Sequence, residues 1–209
     1  MFFLGREGKY GREFKIKEED FYIMSDAMGV YHWIAAHFIG LVVLGVSGFI
    51  VLNIVYAHRE KSAAYKIIVF AAGVVYLAAL LYLTLGMRSP QAEYTYELVL
   101  FWSYWEVFTG EEQWLLWENI ANMFLFFPFG IFLYEWLSGK RKWYLCMIVV
   151  LCVSTGIELT QLLAKLGLFE FDDILHNTLG GILGYAAAGR ITVWVKSLDL
   201  ARLRQSQKQ

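Results

Sequence analysis

The sequence predicts an all-α, polytopic integral membrane protein built as a five-helix transmembrane bundle. Of its 209 residues, 58% are hydrophobic and 18% are aromatic, and the mean hydropathy is +0.48, which is far too apolar for a soluble domain of this length. Most charged residues avoid the long apolar segments. A helix needs about 20 apolar residues to cross about 30 Å of hydrocarbon. Five segments reach that length: residues 31–57, 67–87, 118–137, 143–164 and 173–195.

Each segment has features that predict a membrane helix. The first contains no Asp, Glu, Lys or Arg, and the second is equally free of charge. The third contains Pro128, which removes a backbone hydrogen bond and should kink the helix. The fourth is apolar except towards its end. The fifth carries Gly180 and Gly184, a spacing of small residues that lets another helix approach closely.

The flanking segments are more polar than the predicted bundle, which covers residues 31–197. We expect residues 1–30 to form an interfacial or disordered segment and residues 198–209 to form a polar C-terminal tail. The first twenty residues carry charge throughout and contain no apolar run of seven or more. They therefore do not predict a cleavable signal peptide.

Basic residues indicate how the bundle is oriented, because Lys and Arg near the ends of spans tend to stay cytoplasmic. The C-terminus is therefore predicted to be cytoplasmic. The basic N-terminal segment argues in the opposite direction, since five spans would place it outside. The residues on the predicted inner side are Arg59, Lys61, Lys66, Lys140, Arg141, Lys142, Arg190, Lys196, Arg202, Arg204 and Lys208.

Polar residues concentrate at one end of the predicted bundle. Whatever the orientation, the end of the second span, the start of the third, the end of the fourth and the start of the fifth must share one membrane face. An unpaired ionised Glu158 at this depth would be costly, so Glu158 must be paired, hydrated or protonated, and Arg88 is the candidate for a cationic partner. The predicted ligand-binding residues at these four ends are Arg88, Asn119, Asn122, Glu158, Gln161, Asp172, Asp173, His176 and Asn177.

Each group also has a structural interpretation. Glu158 and Gln161 form either a buried network that locks helices together or a ligand or catalytic site. Asp172 and Asp173 either cap a helix start or belong to the site. The spacing of Asp172 and His176 is compatible with a metal, to which Glu158 could add a third ligand. Without a second histidine or a zinc motif, we expect neither a metal nor another cofactor.

The aromatic run YTYELVLFWSYWEVF, residues 94–108, lies between the second and third spans. It is too short, and too interrupted by Glu97 and Glu106, to cross a membrane. It predicts a helix lying in the interface. Such a helix would serve either as part of an aromatic belt or as a lid over the polar residues.

Three motifs resemble those of the VanZ-like family of bacterial membrane proteins: ENIANMFLFFPFG, STGIELTQ and FDDILHNTLGGILGY. The resemblance covers roughly residues 77–188. Many members carry an arginine just before the acidic pair, where this chain has Lys165 as the nearest basic residue. The resemblance implies an association with resistance to the glycopeptide teicoplanin but names no reaction. The shared polar positions that it implies are Arg88, Asn119, Asn122, Glu158, Gln161, Asp172, Asp173 and Asn177.

The leading functional hypothesis is a cell-envelope protein that binds an amphiphilic or lipid-linked ligand in an outer-face polar pocket. Its expected partners are membrane lipids and a lipid-linked cell-wall precursor or glycopeptide, and not nucleic acid. One alternative is an intramembrane enzyme acting on a phospholipid or polyprenyl-linked substrate, with Glu158 or Asp173 as general base and Arg88 holding a phosphate. Another is a small transporter or proton relay through Glu158. The sequence leaves the oligomeric state open.

Overall fold

The computed structural model describes residues 63–110, 114–137 and 142–206, together with Ser47 and Phe49. These residues belong to one compact unit, which spans residues 45–209. The predicted N-terminal segment, residues 1–30, lies outside the described residues. So does the predicted first span, apart from Ser47 and Phe49.

The described chain is mostly helical. The long helices follow the apolar runs of the sequence, because a backbone in lipid must satisfy its hydrogen bonds within the segment. A π-helical turn, Tyr82–Gly86, follows the first helix directly. In chain order, the elements are α1 Ala63–Leu81, β1 Thr95–Glu97, α2 Trp102–Thr109, α3 Trp114–Trp136, α4 Trp143–Leu163, β2 Leu168–Glu170 and α5 Phe171–Ser206.

Three segments of the described chain are long and apolar enough to cross a membrane: Ala63–Gly86, Leu115–Trp136 and Trp143–Leu163. They coincide with the predicted second, third and fourth spans and support a membrane protein. The apolar side chains of α1 are largely exposed, as expected of a helix whose surface faces acyl chains. α3 continues through Pro128, so the predicted kink does not interrupt the helix.

The predicted fifth span lies within α5, which extends well beyond it. α5 begins at Phe171 and runs to Ser206, into the segment predicted as a polar tail. Its apolar centre is bounded by Asp173 and Arg190. α5 is not among the three segments that meet the criteria of length and apolarity. A crossing by α5, and with it the five-helix bundle, remains a prediction.

A short parallel sheet is the main departure from the all-α prediction. β1 pairs with β2 in the register Thr95↔Leu168, Tyr96↔Phe169 and Glu97↔Glu170. The aromatic run therefore forms a strand first and a helix, α2, only in its second half. Strands of three residues are too short to produce a recognisable periodicity, and they form here because two loops meet.

α3 and α5 pack closely against each other, and glycines make the contact. A Cβ added at Gly180 would collide with the backbone oxygen of Met123, and one at Gly184 with that of Phe127. From the opposite helix, a Cβ at Gly130 would collide with the backbone oxygen of Gly181. The structure confirms the close approach predicted from the spacing of Gly180 and Gly184. The pair brings the starts of α3 and α5 side by side.

Candidate functional site

The polar ends of four helical segments meet at one end of the described bundle. Gln161 Nε2, near the end of α4, donates to the backbone oxygen of Thr84 at 3.1 Å. Asn122 Nδ2, near the start of α3, donates to Asp173 Oδ1 at 2.6 Å. The first bond joins α4 to the π-helical turn, and the second joins α3 to α5. The meeting of ends that the parity of the spans predicts is therefore present among these segments.

The Asp172 carboxylate fastens α2 to the start of α5. Its Oδ1 accepts from Phe101 N at 2.5 Å, and its Oδ2 accepts from Ser103 N at 3.1 Å and Ser103 Oγ at 2.5 Å. Asn119 Nδ2 donates to the same Ser103 hydroxyl at 3.0 Å. Phe101 adopts a left-handed backbone conformation, with φ of 66°, which is unfavourable for a bulky side chain. Asp172 thus stabilises a strained helix start as well as a tertiary contact.

His176 is held by hydrogen bonds at both ring nitrogens. Nδ1 lies 2.6 Å from the backbone oxygen of Asp172, and Nε2 lies 2.6 Å from the Tyr104 hydroxyl. A carbonyl oxygen only accepts, so Nδ1 carries the proton and Nε2 accepts from Tyr104. Burial, and next the charge of Asp172, raises the pKa of Tyr104, which keeps its hydroxyl a donor. The Asp172–His176 spacing therefore reflects a structural network, and both side chains are already engaged.

Glu158 lies on a buried polar face of α4. Its Oε2 accepts from Glu170 N at 3.1 Å, which connects α4 to β2. One turn earlier, Ser154 Oγ accepts from Asn177 Nδ2 at 2.9 Å, which connects α4 to α5. Ser154, Glu158 and Gln161 thus form a buried polar face on α4 that bonds to α5, β2 and the π-helical turn.

Arg88 lies near this polar face of α4. A Cβ at Gly167 would collide with Arg88 Nη1, so the guanidinium packs directly on that glycine. Its charge acts electrostatically on Glu118, Glu158 and Asp173. The hydrogen bond recorded for the Glu158 carboxylate comes from the Glu170 backbone, whereas Arg88 acts on it as a nearby charge.

Three carboxyl groups gather between the starts of α3 and α5 and the end of β2. One oxygen each from Glu118, Glu170 and Asp173 lies within 4.8 Å of the other two, and all three residues are buried. Burial, and next the charges of Asp173 and Glu118, raises the pKa of Glu170 to about 10. The crowding of buried carboxyl groups here therefore disfavours their ionised forms.

Several buried polar atoms at this end have no hydrogen-bond partner among the described residues. Buried polar groups are nearly always paired with protein, water or an ion, so each such atom needs an explanation. The unpaired atoms carry both donor and acceptor character. They are Arg88 Nε, Glu118 Oε2, Gln161 Oε1, Glu170 Oε1 and Asn177 Oδ1.

The structure adds four residues to the nine predicted from the sequence: Ser103, Tyr104, Glu118 and Glu170. Glu118 directly precedes Asn119 in the motif that carries the family resemblance. Glu170 is an isolated acidic residue between two phenylalanines, in the loop that joins two polar helix ends. This position could have identified it as a candidate site residue. Nothing in the local sequence marks Ser103 and Tyr104, because their partners lie about 70 residues away.

No curated protein matches the chain, and no solved structure matches it. A family model described as VanZ/LLP1 matches residues 70–192, which is more than half of the 209 residues. The matched region contains all the residues of the site described above. The chain therefore belongs to the VanZ/LLP1 family.

Proposed function

We propose that this VanZ/LLP1 family protein binds the polar head of an amphiphilic or lipid-linked ligand at the end of the bundle where α3 and α5 begin. In this proposal α5 also crosses the bilayer, completing a five-helix bundle in the bacterial cytoplasmic membrane. The C-terminus is cytoplasmic, so the site opens to the outer face. From the family resemblance, the proposal extends to a link with glycopeptide (teicoplanin) resistance.

The set of unpaired buried polar atoms carries the proposal. Arg88 Nε offers a charged donor, which suits a phosphate or carboxylate. Gln161 Oε1 and Asn177 Oδ1 offer acceptors, which suit hydroxyl or amide donors. A ligand head that combines these groups would satisfy atoms that have no hydrogen-bond partner in the described part of the chain.

The neighbouring α2 supplies an apolar surface for the rest of such a ligand. Trp105 is 66% exposed and Phe108 is 86% exposed, while Ser103 and Tyr104 on the same helix are bonded to the site. Exposed aromatic side chains at a membrane interface lie readily among headgroups and the first carbons of acyl chains. A polar site beside an aromatic surface matches an amphiphile better than a purely polar solute.

Arg88→Ala is expected to weaken binding of a polyprenyl phosphate by about 10-fold or more, because a charged hydrogen bond contributes about 1.5–3 kcal/mol. Native mass spectrometry of the purified chain with added lipid measures the change. Arg190→Ala is the matched control, since Arg190 is exposed and lies about three turns beyond the site on α5. Gly167→Ala should also weaken binding, because its methyl group displaces the Arg88 guanidinium. Equal affinities for the Arg88→Ala and Arg190→Ala chains would remove Arg88 from the site and the main support for the proposal.

An intramembrane enzyme acting on a phospholipid or polyprenyl-linked substrate is the second candidate, because buried Glu158 and Asp173 lie within electrostatic reach of Arg88. Glu158→Gln separates the two functions. It preserves the side-chain volume and an oxygen that can accept from Glu170 N, so a binder should retain its affinity. An enzyme that uses Glu158 as a base would lose turnover of a radiolabelled lipid substrate.

Orientation can be tested with one introduced thiol. In a chain carrying Cys146→Ala and Cys152→Ala, Phe108→Cys places a single cysteine at an exposed position on α2. We expect an impermeant maleimide to label this cysteine in intact cells, because the proposal places α2 on the outer face. Gln205→Cys, at an exposed position near the end of α5, is the control and should react only after lysis. The reverse labelling pattern would invert the orientation.

A further inference from the structure

The strongest unexplained feature is the group formed by Glu118, Glu170 and Asp173, which we call the carboxylate triad. Each member comes from a different element: Glu118 from α3, Glu170 from β2 and Asp173 from α5. One oxygen of each lies within 4.8 Å of the others. Oxygen ligands of a single ion at 2.0–2.6 Å are separated by at most about 5 Å. The spacing therefore already matches a shared ion.

Unpaired atoms provide a second observation. Glu118 is 7% exposed and Glu170 is 3% exposed, yet Glu118 Oε2 and Glu170 Oε1 lack a hydrogen-bond partner within the described ranges. A buried carboxylate oxygen without a donor is unfavourable unless water or a cation satisfies it. Two such oxygens on neighbouring triad members point to something bound between them.

The surroundings hold the triad in place. Asn122 donates to one oxygen of Asp173 at 2.6 Å, and the Glu170 backbone donates to Glu158 at 3.1 Å. The bond from Asn122 is of the kind that orients metal-binding carboxylates, and the bond to Glu158 fixes the backbone of Glu170. Asp173 lies in the first turn of α5, where the helix dipole favours a negatively charged side chain.

We propose that Glu118, Glu170 and Asp173 bind a hard divalent cation of the Mg²⁺, Mn²⁺ or Ca²⁺ class. Three carboxylates with no nitrogen or sulfur donor suit these ions rather than zinc or copper. Asp172 and His176, whose spacing is compatible with a metal, are not ligands in this proposal, because their side chains are hydrogen-bonded to α2. The triad is a different set of residues. The inference goes beyond the proposed function, because the cation binds whether or not a lipid is present.

The test uses Mn²⁺ alone with the full chain purified in detergent without added lipid. Electron paramagnetic resonance of free Mn²⁺ should show about one ion bound per chain, and excess Mg²⁺ or Ca²⁺ should displace it. Glu170→Gln and Asp173→Asn should each weaken Mn²⁺ binding by more than about 100-fold. Losing one hydrogen bond to a metal-binding side chain usually has a smaller effect. Glu93→Gln is the control and should bind as the parent does, because Glu93 is an exposed carboxylate in the loop before β1.

Thermal unfolding distinguishes a variant that has lost the cation site from one that has lost its fold. Each amide variant keeps the side-chain volume and one accepting oxygen, so without Mn²⁺ it should unfold at about the same temperature as the parent. Mn²⁺ should raise the unfolding temperature of the parent and of Glu93→Gln but not that of Glu170→Gln. Absence of bound Mn²⁺ in the folded parent, or equal affinity in the Glu170→Gln chain, overturns the proposal. Neither result affects the lipid-binding test at Arg88.

Discussion

Asp172→Ala is expected to destabilise the protein by at least about 3 kcal/mol and to release α2 from α5, since hydrogen bonds to charged groups contribute about 1.5–3 kcal/mol each. Alanine removes the acceptor for Phe101 N, Ser103 N and the Ser103 hydroxyl. It also removes the contact that holds Phe101 in its left-handed conformation. Chemical unfolding in lipid nanodiscs measures the loss of stability.

Hydrogen exchange shows where the stability is lost. The amides of residues 101–104 should lose protection in Asp172→Ala, whereas those of α4 should keep it. Asp172→Asn should fall between the parent and Asp172→Ala, because it retains one accepting oxygen. Glu93→Ala, which removes an exposed carboxylate, should leave both measurements unchanged. If α2 stayed protected in Asp172→Ala, its attachment would depend on other contacts.

Gly184→Ala is expected to cost about 2–3 kcal/mol, because overpacking a tight contact typically costs 1–3 kcal/mol. The added methyl group would collide with the backbone oxygen of Phe127. A backbone atom cannot rotate away as the end of a side chain can, so α3 and α5 would have to separate. Thermal unfolding in nanodiscs should therefore show a clear loss of stability.

Gly156→Ala is the matched control for this substitution. Gly156 lies in the middle of α4 with nothing within 4 Å of an added Cβ. Alanine is the better helix former by about 1 kcal/mol, so this variant should be as stable as the parent or more stable. Equal unfolding temperatures for Gly184→Ala and Gly156→Ala would show that α3 and α5 are not in tight contact.

The sequence was most informative for the segments whose composition is determined by contact with lipid. Uninterrupted apolar runs located the segments that became α1, α3 and α4, and the glycine spacing predicted that another helix packs closely against α5. Chain parity then placed the polar ends together without any knowledge of side-chain geometry. All of these features follow from local composition and from the length that a bilayer requires.

Contacts between loops that are distant in the sequence could not be predicted from local composition. The sheet of β1 and β2 joins residues more than 70 positions apart, and it determines where Glu170 lies. The sequence predicts that Asp172 caps its own helix or belongs to the binding site, whereas its carboxylate accepts hydrogen bonds from the start of α2. Sequence periodicity describes which face of a helix is buried, but it does not say which distant loop covers that face.

The sheet joins the loop that leads into α2 to the loop that leads into α5. β1 belongs to the same connection as α2, and β2 ends at Glu170. Pulling α2 outward to admit a bulky molecule would draw β2 with it, and Glu170 would leave Glu118 and Asp173. If the triad binds the proposed cation, entry from the side of α2 would release that cation, and the bound cation would therefore hold this entrance closed.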